Sequence, residues 1–346
     1  MNALGLLGSF VGGGVLLVIG GTLLARAGDE FAERTRLGGL FVGMVVLAIA
    51  TSLPELATDI AAVRAGAPDL AVGALMGSNM TNMAILALID LIHRRTVWPA
   101  ISLGHARTAS VAIGLTALAT LTLLTPTGLE LGWVGVETVL IGAGYVMAVI
   151  WIRRARPDLG MTGTPTPVPT GWSVRKETSM TWIVLRLVAA TTVVLISGPI
   201  VAATGEELAE VTGLGQTFVG VAFVAAATSA PELVAALAAV RIGAHDLAVG
   251  NLFGSNAVNM ALLLPVDLAY TPGALLASVG PDQAVAGLGA ILLMALAWPA
   301  SSTVPRRGSP NSSQTRYSCW LPSSGRWWRW RPPEIPAGLP SPDRDG

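Results

Sequence analysis

The chain has 346 residues, 52% hydrophobic and only 12% charged, with a mean hydropathy of +0.64. These values exclude an ordinary water-soluble globule and indicate a polytopic membrane protein. Lys plus Arg and Asp plus Glu balance at 21 each, leaving no case for nucleic-acid binding, and the single Cys319 excludes an intrachain disulfide framework.

Apolar runs of about 20 residues, enough to cross the hydrocarbon of a bilayer, fall near 4–25, 37–63, 69–92, 106–125, 131–152, 181–204, 214–240, 246–268 and 280–300. The first lacks a charged leader and a clear cleavage site, and is expected to be a retained span, not a signal peptide. With glycine abundant and aromatics scarce, the spans are expected to be closely packed helices. Between 153 and 180 the chain is rich in Pro, Gly and Thr and carries Arg153, Arg154, Arg156, Arg175 and Lys176. This is read as a linker between a first half, 1–152, and a second half, 181–304. From 305 to 346 the composition turns abruptly to Arg, Ser, Pro and Trp, with Trp320, Trp327, Trp328 and Trp330 close together. That segment is expected to be an atypical disordered tail in place of a last helix, as a frameshift in the gene would produce.

Basic residues concentrate in cytoplasmic loops. Arg26, Arg34 and Arg36 precede the second span, Arg94, Arg95 and Arg107 follow the third, and five more basic residues lie in the linker. The segments 125–133 and 205–215 have none, and the latter carries Glu206, Glu207 and Glu210. The expected orientation is an external N-terminus and a cytoplasmic linker.

The most informative feature is a repeat. Residues 38–91 align without a gap on 215–268, 177 positions later, and 32 of the 54 positions are identical. Each copy holds Ala-Thr-Ser-x-Pro-Glu-Leu (50–56 and 227–233) and Gly-Ser-Asn-x-x-Asn (77–82 and 254–259). Five spans separate the copies, so they are expected to cross the membrane in opposite directions. A carboxylate inside a membrane span is costly and is by default a functional residue. Glu55 and Glu232, related by an inverted repeat, therefore point to a transporter with its ion site where the repeats meet.

The residue types suit a hard cation, which takes six to eight oxygens. Proline removes a helical hydrogen bond and crowds the carbonyl four residues back, so Pro54 should disturb its helix near Ala50, and Pro231 near Ala227. Thr51, Ser52, Thr228 and Ser229 stand beside those freed carbonyls. Ser78 and Asn82, like Ser255 and Asn259, are four residues apart on one helix face. Gly73, Gly77, Gly250 and Gly254 fall on or near that face, where they admit a partner helix. Asp69 and Asp246 are read as N-caps. Asp90 and Asp267, matched near helix ends, are read as interfacial. Asp59, one turn beyond Glu55 and opposite Ala236 in the other copy, is left open between an access path, a snorkelling residue and a cap. No cluster of His or Cys suggests a transition metal. One motif alone could be a kinked helix with a satisfied polar cluster, but two matched copies favour a site.

These motifs resemble the two alpha repeats of the calcium/cation antiporter superfamily, most closely its prokaryotic sodium/calcium exchanger branch. The resemblance is close in the two motif blocks and extends over 1–300 in layout. It implies an all-α polytopic membrane protein of two inverted five-helix repeats, with about nine to ten transmembrane helices, the last apparently lost or replaced. It implies a central cluster of Thr51, Ser52, Glu55, Ser78 and Asn82 with Thr228, Ser229, Glu232, Ser255 and Asn259, and adds the backbone carbonyls of Ala48 and Ala225. Three departures stand out. Some sodium/calcium exchangers carry an acid at the position of Asn259. The family often has Gly-Asn before the second motif, which copy two keeps as Gly250-Asn251 and copy one replaces with Gly73-Ala74. The fifth helix of the second half is missing.

The expected function is secondary active antiport of Ca²⁺ for Na⁺ across the plasma membrane by alternating access, with H⁺ as the alternative coupling ion. A passive cation channel or a transport-dead scaffold are the rivals from other classes. No enzymatic activity and no cofactor are expected. The partners are the lipid bilayer and inorganic cations.

Overall fold

The computed structural model describes residues 3–93, 104–154, 179–213 and 226–302, which are almost entirely helical. Helix α1 (Ala3–Thr35) runs for 33 residues, about 50 Å at 1.5 Å per residue, ten residues beyond the apolar run that announces it. It stops at Arg36 and Gly38, both with positive φ. The second span, Gly39–Arg64, is one rod in three parts: α2 (Gly39–Val42), a π-helical turn (Gly43–Leu47) and α3 (Ala48–Arg64). Gly66, with φ +79, reverses the chain, and α4 (Pro68–His93) starts on a proline, where a missing N–H costs nothing.

Next come α5 (Gly104–Leu124), a two-stranded antiparallel ladder of β1 (Glu130–Leu131) and β2 (Val134–Gly135), and α6 (Val136–Arg154). The apolar run expected as a span from 131 is thus helical only from 136. The ladder is fastened to the end of a later helix by Asp267, which accepts from Gly135 N–H (2.8 Å), Leu275 N–H (2.8 Å) and the Thr138 hydroxyl (2.5 Å). Asp267 is therefore a fully buried clasp, where an interfacial position was expected.

In the second half, α7 (Met180–Val211) begins at Ser179, whose hydroxyl accepts from Trp182 N–H. It is followed by α8 (Ala230–Arg241), α9 (His245–Ala269), a 3₁₀ turn (Leu275–Ala277) and α10 (Gln283–Ser302). Among the described residues, seven helices are long and apolar enough to cross a membrane: α1, the Gly39–Arg64 rod, α4, α5, α6, α7 and α9. Of the two other expected spans, 214–240 is described only from residue 226, and 280–300 appears as α10. Most of the linker and the whole tail from 303 lie outside the described residues.

Helix α9 is the centre of the bundle and touches α2 through α6 and α8, while α1 lies along α7 and α10 packs on α4 and α5. Gly250 and Gly254 make this possible. A β-carbon at either would strike the backbone of Leu40 or Met44, so the face expected to admit a partner helix does so for copy two. Leu4, Val15, Leu140, Trp151, Leu185 and Ile196 remain exposed on the outer helices, as a lipid-facing surface requires. Asp69 and Asp246 sit in first turns, and each also reaches another element. Asp69 accepts from Gly280 N–H (2.8 Å), and Asp246 lies 2.8 Å from Nε2 of buried His105.

Candidate cation site

The two motif helices differ in how they absorb their prolines. In copy one the chain stays helical through Pro54, and the irregularity is the π turn at Gly43–Leu47, upstream of the expected disturbance at Ala50. A π turn inserts one extra residue and is a common device at functional sites. Pro54 still leaves the Ala50 carbonyl without its in-helix donor. In copy two the helix breaks at Ser229, and Pro231 lies in the first turn of α8, where it is tolerated. Gly198 of α7 lies against both prolines.

Around Glu55 the expected residues converge. Ser78 Oγ donates to Glu55 Oε1 at 2.7 Å. Asn259 lies across from them, with one terminal amide atom 3.1 Å from Ser52 Oγ and 3.2 Å from Glu55 Oε2. Thr51 Oγ1 bonds the Ala48 carbonyl (3.3 Å) and lies 3.4 Å from Ser255 Oγ and 3.5 Å from Asn251 Oδ1. Ligand candidates of both copies thus meet in one place.

Around Glu232 the arrangement is different. Glu232 is fully buried, and neither carboxylate oxygen makes a close hydrogen bond among the described residues, the nearest hydroxyl interaction being with Thr51 of the other copy. Ser229 Oγ, Asn82 Oδ1 and Asn251 Nδ2 also lack a close hydrogen bond among those residues. Asn82, Ser229 and Glu232 are the repeat counterparts of Asn259, Ser52 and Glu55, which do approach one another. Thr228 is exposed, although its counterpart Thr51 is buried, and Ala225 lies outside the described residues. The two glutamates are within electrostatic reach of one another.

Three asparagines outside the expected set organise the centre. Asn79 Nδ2 donates to the Asn256 carbonyl (3.2 Å), and Asn256 Nδ2 donates to the Asn79 carbonyl (3.3 Å). Asn82 Nδ2 donates to Asn256 Oδ1 (3.0 Å), and Asn259 Nδ2 donates to Asn79 Oδ1 (3.2 Å). Each bond is the other's image under exchange of the copies, as a two-fold axis between α4 and α9 requires. Asn79 also donates to Thr116 of α5 (3.2 Å). Asn251 adds an oxygen beside Thr51. The signal that identifies Asn79 and Asn256 is their presence at the same place in both copies, one residue off the Ser-Asn face.

The chemistry is that of oxygen ligands. Two carboxylates, hydroxyls and amide carbonyls, with no group of three or more His, Cys, Asp or Glu among the described residues, favour Ca²⁺ or Na⁺ over a transition metal. Orphaned buried carboxylate oxygens are expensive, and a cation is the direct way to satisfy them.

A family model described as sodium/calcium exchanger protein matches residues 5–153 and 182–321. CaxA of Alkalimonas amylolytica is 29% identical over 303 residues, which cover 82% of this chain and 89% of that protein. The sodium/calcium exchanger MaX1 of Methanosarcina acetivorans is 24% identical over 283 residues, 75% of this chain and 81% of its own. Among solved structures, the sodium-calcium exchanger NCX_Mj soaked with 2.5 mM Na⁺ and 1 mM Sr²⁺ matches with a TM-score of 0.65 at 20% identity, over 87% of this chain and 91% of that one, a likeness of fold.

Proposed function

The chain belongs to the sodium/calcium exchanger protein family, and we propose that it exchanges Ca²⁺ for Na⁺ across the plasma membrane by alternating access at a site built on Glu55 and Glu232. Membership makes it a multi-pass membrane transporter and not an enzyme. The observation that carries the finer reading is the pairing of one glutamate held by Ser78 with another that is fully buried and lacks a close hydrogen bond. One Ca²⁺ neutralises the two carboxylates, and so do two Na⁺. Both loads cannot sit there together, and that exclusion couples their fluxes.

The reciprocal asparagine bonds give α4 and α9 a shared, rigid core. Interhelical side-chain hydrogen bonds in membranes are worth on average about 0.6 kcal/mol each, so four of them hold this core by roughly 2 kcal/mol. Helices α1 and α7 lie outside it, and Gly198 gives α7 a smooth contact with both motif prolines. In this mechanism α1 and α7 slide against the core and open the site to one side at a time. An inverted repeat provides both states from one fold, because its halves exchange roles. The Arg-rich linker and the Lys/Arg-free segment 205–215 support opposite orientations for the copies, with the N-terminus outside and the linker in the cytoplasm.

The test is ⁴⁵Ca²⁺ uptake by proteoliposomes of the full chain under an imposed Na⁺ gradient and then an imposed H⁺ gradient. Accumulation above equilibrium driven by Na⁺ alone is the expected result. Accumulation driven only by H⁺ would assign the other coupling ion. Equilibration without accumulation would indicate a channel, and no uptake a scaffold.

A further inference from the structure

One buried carboxylate has no place in the exchange site just described. Asp59 stands one turn beyond Glu55 on α3, is 3% exposed, and has an Oδ2 without a hydrogen-bond partner among the described residues. No ion pair of Asp59 occurs among those residues either. The adjacent Thr58 hydroxyl is directed to the Glu55 backbone carbonyl (2.8 Å) and leaves the carboxylate unserved. Residues four apart on a helix share a face, with β-carbons about 5–6 Å apart, and Glu55 lies within electrostatic reach of Asp59. Packing does not demand an acid here, since the repeat counterpart, Ala236, fills an equally buried position without one. A carboxylate sealed into a membrane helix, unpaired and present in one copy only, is a candidate ion ligand by default.

We propose that Asp59 holds one of the coupling Na⁺ ions, adjacent to the Glu55 end of the central site. This rests on the Na⁺/Ca²⁺ reading above. A single carboxylate supplies one negative charge, where Ca²⁺ sites favour several, so its charge matches a monovalent ion. The consequence is a change in charge count. Glu55, Glu232 and Asp59 together carry three negative charges. Three Na⁺ neutralise them, whereas one Ca²⁺ leaves one negative charge. The Na⁺-loaded and Ca²⁺-loaded carriers then differ by one charge, and each cycle moves one net positive charge in the direction of Na⁺. With Asp59 neutralised, two Na⁺ exchange for one Ca²⁺ and no net charge moves.

The experiment measures Na⁺-driven ⁴⁵Ca²⁺ accumulation in proteoliposomes while a K⁺ diffusion potential is set with valinomycin. One charge per cycle corresponds to about a 50-fold change in equilibrium accumulation per 100 mV. Wild type is expected to respond at about that level. Asp59→Asn and Asp59→Ala, the latter installing the residue of the other copy, are expected to accumulate Ca²⁺ independently of potential, and Asp59→Glu to restore the response. Ca²⁺/Ca²⁺ exchange, which needs no Na⁺, identifies folded carrier in every variant. A wild-type carrier indifferent to potential, or neutral variants as voltage-sensitive as wild type, would overturn the assignment. So would loss of Ca²⁺/Ca²⁺ exchange in both neutral variants with Na⁺ responses intact in Asp59→Glu, because that pattern places Asp59 among the Ca²⁺ ligands. Absence of any Na⁺-driven uptake in wild type would instead reject the exchange reading itself.

Discussion

Copy one and copy two of the repeat carry the same motif residues yet stand in different states. Glu55 is only partly buried and is held by Ser78, on a helix that runs unbroken through its proline. Glu232 is sealed and without a close hydrogen bond, on a helix that starts anew after a break at Ser229. Ser255, the counterpart of Ser78, lies beside Thr51 of the other copy instead. At the core the copies are symmetric, since Asn79 and Asn256 exchange identical bonds. Matching motif residues combined with unequal environments are what a carrier caught on one side of its cycle should present. The lesson is that the motif determines which groups meet, and the conformation determines which copy holds its glutamate.

The comparison breaks most severely at the glutamates. Glu55→Gln and Glu232→Gln should each abolish Ca²⁺-coupled flux while the protein still inserts, despite the different surroundings of the two residues. Vesicle flux near wild type in either variant would remove the two-glutamate site.

A smaller effect is expected at the symmetric core. Asn79→Ala should lower stability by about 2 kcal/mol and Asn256→Ala by about 1 kcal/mol, since their side chains make three and two hydrogen bonds of about 0.6 kcal/mol each. The double variant should lose about the sum, because each side chain donates to the other residue's backbone carbonyl, which alanine keeps. Thermal unfolding in detergent measures both, and single variants as stable as wild type would mean the reciprocal bonds are not formed.

The smallest effect sharpens the asymmetry. Ser78→Ala removes a bond present in this state, and Ser255→Ala removes its counterpart in the opposite state. Each should weaken apparent Ca²⁺ affinity roughly tenfold, about 1.4 kcal/mol for a hydrogen bond to a charged group, and from opposite faces of the membrane. Sided uptake in oriented vesicles checks this. Equal effects of both variants on one face would show that the copies do not trade places.

Much of the site is legible in the sequence because it rests on repetition. Glu55, Ser52, Ser78 and Asn259 converge as their shared spacing predicts. Asn79 and Asn256 escaped the face argument because they lie one residue off the Ser-Asn line, pointing to the other copy instead of to the ion. The π turn at Gly43–Leu47 was not legible, since proline chemistry predicts a disturbance near Ala50 and the helix relieves it upstream. The clasp of Asp267 depends on a hairpin from the other half of the chain, 132 residues away, and no local pattern announces it. Helix α1 outran its apolar stretch because its last turns are charged and amphipathic, with Glu30 paired to Arg186 of α7 at 2.9 Å.

The central claim is that the two copies face opposite ways across the membrane, so that equivalent halves exchange environments. Sided thiol labelling tests it most directly. With Cys319 replaced by Ser, one cysteine is placed at exposed Arg34, just before copy one, and another, separately, at Thr212, just before copy two. Thr212 is exposed and preferable to its neighbour Gly213, whose φ of +71 favours glycine. The account predicts that an impermeant maleimide labels position 34 only from the cytoplasmic side and position 212 only from outside. Labelling of both from the same side would contradict it.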